Sequence, residues 1–260
     1  MSVRTPQSSP CAWRLLLAFA GLVATLLAGC AAPQAPVTAT RAPSQGAMRW
    51  STPQQAAWQE IQLPGKTPTV YRLDDHAPSG ARGQQLALKA DAQSSASMLR
   101  APVRIEPEAL GQVDFSWLVP QLIANADMAQ RDLDDSPVRL ILAFEGDRSK
   151  FSAKDAMVNE LARLLTGEEM PYATLMYVWC NQRPVGSVIH SPRTDRIRKI
   201  VVESGAQGLK QWRNYERDIR ADYLRAFGEA PGALVAIGLM SDSDNTHSNA
   251  VAWYGPIALR

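Results

Sequence analysis

Short segments with the composition of β-strands recur from residue 69 to the C-terminus, and they limit the folds that this chain can adopt. Eight segments are rich in β-branched and aromatic residues or alternate between apolar and polar residues. They are Thr69–Leu73, Gln85–Lys89, Val113–Val119, Val138–Phe144, Ala173–Trp179, Ile197–Glu203, Leu234–Met240 and Ala250–Leu259. The segment Val138–Phe144 is nearly all apolar, as expected of a strand that is buried on both faces. Many strands and few helices predict a mainly β fold, a β-sandwich.

Two segments have the period of a helix instead. The first begins at Ser152, which forms a capping box with Asp155, and it ends before Gly167. Its apolar residues fall on one face, and they are Met157, Leu161, Leu164 and Leu165. The second predicted helix runs from Leu209 to Phe227, with apolar residues every three or four positions. Because strands and helices do not alternate regularly, a doubly wound sheet is a weaker candidate than a sandwich with two accessory helices.

The first 30 residues have the features of an exported lipoprotein. Arg4 and Arg14 are the only charged side chains before Cys30, and residues 15–28 are an apolar run. This run is shorter than the stretch of about 20 residues that a transmembrane helix needs. Residues 27–30 (LAGC) resemble the lipobox of bacterial lipoproteins, in which the cysteine thiol accepts diacylglycerol. The resemblance implies that residues 1–29 are a signal peptide and that Cys30 is lipidated. The alternative is ordinary signal-peptidase cleavage, with Cys30 incidental.

The residues after Cys30 predict a location and a domain boundary. Ala31 rather than an aspartate follows the cysteine, and by resemblance to sorting in enteric bacteria this implies an outer-membrane lipoprotein of the cell envelope that faces the periplasm. The membrane is then a partner through the lipid anchor. The stretch 30–47 is rich in Ala, Pro and Thr, which predicts a flexible tether behind lipidated Cys30. Residues 48–260 have the length of one domain.

Charge and cysteine content exclude two classes of partner and site. Loss of residues 1–29 lowers the Lys and Arg count from 27 to 25, equal to the 25 Asp and Glu. A balance near zero argues against nucleic acid as a partner, because nucleic-acid-binding proteins present a basic face. Cys180 is then the only unmodified cysteine, so neither an internal disulfide nor a cysteine-rich metal site is predicted.

The run Ser241–Thr246 (SDSDNT) is the richest polar cluster of the chain. Asp242, Asp244 and Asn245 are candidate metal ligands, because carboxylate and amide oxygens are the ligands that calcium prefers. The same residue types also build tight turns, and the glycine and the distal glutamate of an EF-hand loop are both missing. Calcium is therefore a candidate ion, and no cofactor is required.

Three tryptophans lie on predicted strands, and they are Trp117, Trp179 and Trp253. On the exposed face of one sheet they would form a platform on which sugar rings stack. The alternative, packing in the core, is expected for most of them. The candidate ligand-binding residues are thus Trp117, Trp179, Trp253, Asp242, Asp244 and Asn245.

No residue is assigned a catalytic role. Ser204–Gly205 lacks the preceding glycine of a nucleophile elbow. Paired carboxylates perform acid–base catalysis in glycosidases, and four aspartates precede the strand at 138–144: Asp127, Asp132, Asp134 and Asp135. A charged loop is the alternative interpretation of this group.

Several runs resemble a bacterial family of unknown function, whose members are mostly exported single-domain proteins. They include Pro171–Trp179 (PYATLMYVW), Asp242–Thr246 (DSDNT) and Trp253–Gly255 (WYG), and the likeness extends from about Trp58 to the C-terminus. The last two strands, joined by an Asp-rich turn and ending in an aromatic pair, also resemble the end of jelly-roll carbohydrate-binding modules. The second resemblance implies a jelly-roll-like, galactose-binding-like β-sandwich.

Three functions are consistent with these features. The first is a lipid-anchored, non-enzymatic binding protein for envelope glycan. The second is a hydrolase of envelope carbohydrate that uses the aspartates at 127–135 or 242–244. The third is a structural or assembly lipoprotein with an envelope protein as its partner. An exposed aromatic strip would favour the first function, acidic residues in a cleft the second, and a broad apolar patch the third.

Overall fold

A computed structural model describes residues 49–50, 58–74 and 87–260, and the stretch 42–260 forms one compact unit. The predicted signal peptide, Cys30 and the tether lie outside the described residues. The described part contains thirteen strands and two α-helices. The strands are β1 (Arg49–Trp50), β2 (Gln59–Gln62), β3 (Val70–Asp74), β4 (Ala87–Gln93), β5 (Ala96–Ile105), β6 (Gln112–Leu118), β7 (Ser136–Phe144), β8 (Ala173–Cys180), β9 (Val188–His190), β10 (Ile197–Ser204), β11 (Trp212–Asp218), β12 (Leu234–Asp242) and β13 (Asn249–Leu259). The helices are α1 (Ala153–Thr166) and α2 (Ile219–Phe227).

The strands form two sheets, as the sequence predicts for a sandwich. Sheet A has the order β11-β6-β13-β4-β3, and β1 pairs with β13 outside this path. Sheet B has the order β2-β5-β12-β7-β8-β10-β9. The pairing of β8 with β10 is parallel, and the other described pairs are antiparallel.

The connectivity is that of a jelly roll. The chain passes from sheet A to sheet B and back at β4, β5, β6 and β7, and again at β11, β12 and β13. The last two strands return to the centre of the sandwich: β12 lies between β5 and β7, and β13 lies between β4 and β6. Such crossings between two antiparallel sheets define the jelly roll, so the predicted mainly β, jelly-roll-like fold with two helices is confirmed.

Aromatic side chains from both sheets fill the core. Phe115 of sheet A stacks on Tyr177 of sheet B, with ring centroids 5.5 Å apart. Phe115 also contacts Trp117 and Tyr215 at centroid distances of 5.0 Å. Because side chains alternate along a strand, these inward residues fix which neighbours face outward.

The helix predicted at Leu209–Phe227 is only half correct. Trp212–Asp218 is strand β11, paired with β6, and a helix begins at Ile219 with Asp218 as its N-cap. The sequence of β11 fits both periods, and pairing with an edge of sheet A decides between them. The other predicted helix is confirmed as α1, capped by Ser152 and ended by Gly167 in the left-handed conformation.

The apolar face of α1 points into solvent. Met157, Leu161, Leu164 and Leu165 are all more than half exposed, whereas Asp155 is buried. The sequence predicted that the apolar residues of α1 share one face, but it did not predict that this face points into solvent. Among the described helices, none has the length and hydropathy to cross a bilayer.

Candidate functional site

Five side chains form a row across the outer face of sheet A. Trp212 of β11 pairs with Leu118 of β6, which in turn pairs with Trp253 of β13. The row continues through Lys89 of β4 to Arg72 of β3. Neighbouring strands lie about 4.8 Å apart, so the Cα atoms of the two tryptophans, separated by one strand, are roughly 10 Å apart. These five residues are called the tryptophan row below.

Trp253 is held in place by polar neighbours. Its indole nitrogen donates to the Asp74 carboxylate at 2.7 Å, and the Lys89 ammonium lies 5.4 Å from the centroid of its ring. The side chain is partly exposed. An aromatic ring bordered by a carboxylate and an ammonium offers both a stacking face and groups that bind hydroxyls.

Trp212 is also partly exposed, and its position depends on Gly255. A Cβ at Gly255 would fall on the Ser116 hydroxyl oxygen and lie 3.3 Å from the Trp212 ring. The absence of a side chain at Gly255 therefore leaves the space into which Trp212 packs. Sequence reasoning missed Trp212 because it assigned this segment to a helix.

The other two candidate tryptophans lie in the core. Trp117 is fully buried and donates its indole N–H to the Tyr215 hydroxyl at 3.1 Å. Trp179 is equally buried and donates to the Gly205 carbonyl at 3.0 Å. Both side chains satisfy their polar atom internally, which is the core packing that sequence reasoning expected for most of the tryptophans. Of the three, only Trp253 lies at the surface.

Three buried carboxylates converge where β12 ends. Asp135, Asp242 and Asp244 each bring an oxygen within 4.8 Å of the others, and this group is called the acidic triad below. Asp135 accepts from the Asn245 and Thr246 backbone amides, at 3.2 and 2.7 Å, and so holds the turn after β12. Sequence reasoning proposed Asp242 and Asp244, but it placed Asp135 in a separate charged loop.

Basic side chains run beside the acidic triad. Arg139 donates two hydrogen bonds of 2.8 Å to Asp242 and one of 3.1 Å to Asp134. Lys199 donates to both oxygens of Asp134 at 2.7 Å. Lys66 forms an ion pair with Asp244. Three cations thus face four carboxylates, and Asp135 is held instead by the Asn245 and Thr246 amides and the Thr246 hydroxyl.

Burial dominates the electrostatics of this network. Burial raises the pKa of the Asp242 carboxyl to about 6, although Arg139 opposes that shift. Burial together with the charge of Arg139 lowers the pKa of the Lys199 ammonium to about 8, although Asp134 opposes it. Both groups thus carry a desolvation cost that their partners only partly offset.

The donor set of the acidic triad fits a divalent cation in part. Three carboxylates are suitable calcium ligands, and the triad could hold a metal. However, both oxygens of Asp242 are engaged by Arg139, and the ammonium of Lys66 neutralises Asp244. The Asn245 side-chain amide donates to the Arg131 carbonyl at 2.9 Å and so points away from the triad. The structure adds Asp135 to the predicted ligands Asp242 and Asp244.

The aspartates proposed for hydrolysis are engaged as structural groups. Asp134 and Asp135 belong to the network above, and Asp127 pairs with Arg183 at 2.6 Å. Asp127 also caps the following turn through the Ala129 amide. Asp132 is exposed in a short 3-10 helix. This arrangement gives no support to a pair of catalytic carboxylates among them.

A polar groove of about 820 Å³ lies on the outer face of sheet B. Its charged residues pair with one another or with the loop after α1: Arg100 binds Glu168 at 2.7 Å, and Arg148 pairs with Glu169. The Tyr172 ring lines the groove, but it stacks on Phe151, and the Arg196 guanidinium lies over it at 4.7 Å from the ring centroid. The groove thus offers paired charges and a covered aromatic ring, whereas sheet A offers partly exposed indoles.

Comparisons with known proteins give a family but no activity. Residues 56–258 match the model of the family described as Protein of unknown function (DUF3047). No curated protein is detectably similar to this chain.

Solved structures with a distant likeness include three carbohydrate-related proteins. The family 11 carbohydrate-binding module of the cellulase Lic26A-Cel5E of Clostridium thermocellum is 7% identical, with a TM-score of 0.39, over 84% of this chain and 95% of that one. The xyloglucanase domain of NopAA from Sinorhizobium fredii is 7% identical, with a TM-score of 0.39, over 78% and 92%. A cellulase derived from Cel12A of Rhodothermus marinus is 10% identical, with a TM-score of 0.37, over 78% and 99%.

Proposed function

We propose that this chain, which belongs to the DUF3047 family, is a non-enzymatic protein that binds an extended glycan of the cell envelope through the tryptophan row. The single observation that carries this proposal is the register of Trp212 and Trp253 on the outer face of sheet A. Indole rings stack on the apolar face of pyranose rings, and tryptophan is among the residues that contribute most to binding surfaces.

The spacing of Trp212 and Trp253 along the tryptophan row favours one type of glycan. In a β-1,4-linked chain successive rings are turned over, so every second ring presents the same face. The Cα atoms of Trp212 and Trp253, two strand spacings apart, lie roughly 10 Å from each other, which is of the order of the repeat of alternate rings. The proposed ligand is therefore an extended β-1,4-linked chain, the linkage of peptidoglycan glycan strands.

Polar residues beside the indoles supply hydroxyl contacts. Lys89 and Arg72 continue the tryptophan row, and Asp91 lies two residues from Lys89 on the same face. Charged side chains next to a stacking ring give orientation to a ligand that stacking alone would leave free to slide.

The proposed location follows from the lipobox at residues 27–30. Lipidation of Cys30 would hold the domain at the outer membrane on its periplasmic side, within reach of envelope glycan. Two or three acyl chains anchor stably, because each buried CH₂ contributes about 0.8 kcal/mol.

The test is isothermal titration of the compact unit, residues 42–260, with chitohexaose, cellohexaose and peptide-free peptidoglycan strands. We expect binding that Trp253→Ala and Trp212→Ala each weaken at least about tenfold, equal to about 1.4 kcal/mol. Trp253→Phe should retain most of the affinity, since it keeps a stacking ring. The control Leu224→Ala alters an exposed leucine of α2 and should leave binding unchanged. No heat with any of these glycans, or binding indifferent to both tryptophan substitutions, would refute the proposal.

A further inference from the structure

The exposed apolar face of α1 has no counterpart elsewhere in the described surface. It consists of Met157, Leu161, Leu164 and Leu165, which are 67%, 54%, 70% and 63% exposed. These four side chains fall within one side of the helix, because they recur at three- and four-residue spacing. A helix at the surface of a globular domain normally turns such a face toward the core. Here the face is presented to the outside.

Polar contacts fix this orientation. The buried Asp155 carboxylate accepts from the hydroxyl of the N-cap residue Ser152. It also accepts from the Asp195 backbone amide at 2.9 Å. The Asn159 side chain accepts from the Met170 amide at 3.0 Å, which ties the middle of α1 to the chain entering β8. The side of α1 that faces the domain thus carries Asp155 and Asn159, and rotating the apolar face inward would bury Lys154 and break these bonds. The outward direction of the leucines is therefore built into the fold.

The composition of the face suits a lipid surface better than a protein. It consists of three leucines and one methionine, and it lacks the tryptophan, tyrosine and arginine that dominate the hot spots of protein interfaces. Four such side chains expose on the order of 400 Å². Two copies of the face would bury less than the roughly 1,200 Å² of a stable interface.

Charged side chains at the edge of the apolar face also favour a lipid surface. Lys154 lies seven residues before Leu161 and therefore on the same side of α1, whereas Lys150, which precedes the helix, lies 3.8 Å from Glu229. The acidic residues of this region are paired: Glu160 with Arg163, Glu168 with Arg100, and Glu169 with Arg148. Amphipathic helices that lie in the membrane interface combine an apolar face with lysines that meet anionic headgroups.

From these observations we infer that α1 is a membrane-contacting helix, which lies in the headgroup region of a bilayer containing anionic lipid. Leu161 and Leu164 form the centre of the inserted face, and Lys154 contacts lipid phosphate. A further support rests on the proposed lipid anchor. The 19 residues from Cys30 to β1 span at most about 65 Å when extended, so the anchor would keep α1 at high effective concentration beside the bilayer.

Flotation of the compact unit with vesicles tests the helix without the anchor, so its result does not depend on Cys30 or on glycan binding. Vesicles of phosphatidylethanolamine and phosphatidylglycerol, three to one, are compared with pure phosphatidylcholine. We expect binding to the anionic vesicles that Leu161→Gln/Leu164→Gln lowers at least about tenfold, because two inserted side chains are lost. Lys154→Glu should weaken binding to anionic vesicles only.

The matched control is Leu224→Gln, which changes a leucine of α2 that is 54% exposed, as Leu161 is. It should float like the parent. Absence of flotation, or flotation that the double substitution leaves unchanged, would overturn the inference. Analytical sedimentation of the same variants tests whether a second copy of the chain covers the face. A dimer that the double substitution dissociates would assign the face to that second copy and would also overturn the inference.

Discussion

Lys199 places its ammonium 2.7 Å from both carboxylate oxygens of Asp134, and its side chain is only 2% exposed. A buried carboxylate that loses such a partner loses much of its compensation, and only Arg139 would still face Asp134, at 3.1 Å. Lys199→Met should therefore lower the free energy of unfolding at pH 7 by about 3 kcal/mol, measured by urea denaturation.

The control for this prediction is Lys150→Met, because Lys150 is mostly exposed and pairs only loosely with Glu229. Surface changes of this kind alter stability by no more than about 0.5 kcal/mol. Equal effects of the two substitutions would show that the Lys199–Asp134 pair does not stabilise the sandwich.

Asp242 gives the domain a pH dependence of defined sign. Its folded pKa of about 6 lies above the unfolded value of 3.8, so the folded state binds more protons between these values. The stability from this group is full below pH 3.8 and is lost as the pH rises through 6. From pH 4 to 7 the parent should therefore lose about 2 kcal/mol relative to Asp242→Asn. Urea denaturation of both proteins at each pH measures the difference, and a difference constant with pH contradicts the shift.

The Lys66 ammonium neutralises part of the negative charge of the acidic triad through its ion pair with Asp244. Lys66→Met removes this ammonium from Asp244 and leaves the triad more negative. We expect calcium at millimolar concentration to raise the melting temperature of Lys66→Met more than that of the parent. The double variant Lys66→Met/Asp244→Asn should lose the extra response, since it lacks one carboxylate ligand. The same calcium response in all three proteins would exclude the triad as a cation site.

Gly255 links the stability of sheet A to the proposed binding face. Gly255→Ala should destabilise the domain by about 2 kcal/mol through overpacking against Ser116 and Trp212. It should also weaken glycan binding, because the Trp212 ring must move. Gly255→Ala/Ser116→Ala removes the hydroxyl oxygen that the new Cβ meets, so it should recover part of both losses. Thermal melts and the titrations described above measure the two effects, and an unperturbed Gly255→Ala protein would contradict the packing.

Lipidation at Cys30 can be tested in cells that express the whole chain. Cys30→Ser should abolish incorporation of labelled palmitate and move the protein from the membrane fraction to the soluble periplasmic fraction. Cys11→Ser, within the predicted signal peptide, and Cys180→Ser, in β8, are matched controls and should keep the label. Label retained after Cys30→Ser would refute the lipobox assignment.

Local patterns in the sequence predicted most of the fold. All eight predicted strands exist, because alternation and β-branched content mark a strand wherever its partner lies. The caps of α1 are also local, so both of its ends were predicted. The pattern of β11 was not decisive, since its choice between strand and helix depends on pairing with β6, about 100 residues away. The direction of the apolar face of α1 likewise depends on Asp155 and its contacts with the loop before β10.

The candidate site was less predictable for the same reason. Periodicity places Trp117, Trp179 and Trp253 on strands but does not say which face each occupies. Only the register of sheet A brings Trp212 beside Trp253. The acidic triad joins Asp135 to Asp242, 107 positions later in the sequence, and no spacing rule connects them.

The central positions of β12 and β13 determine when this chain can fold. Each sheet receives an interior strand from residues 234–259, so neither sheet can close before these residues have been synthesised. Shorter nascent chains expose unpaired edges on β4, β5, β6 and β7, and their contacts are long-range and slow to form. The sandwich is therefore complete only after β12 and β13 are available, and partly synthesised chains keep open sheet edges.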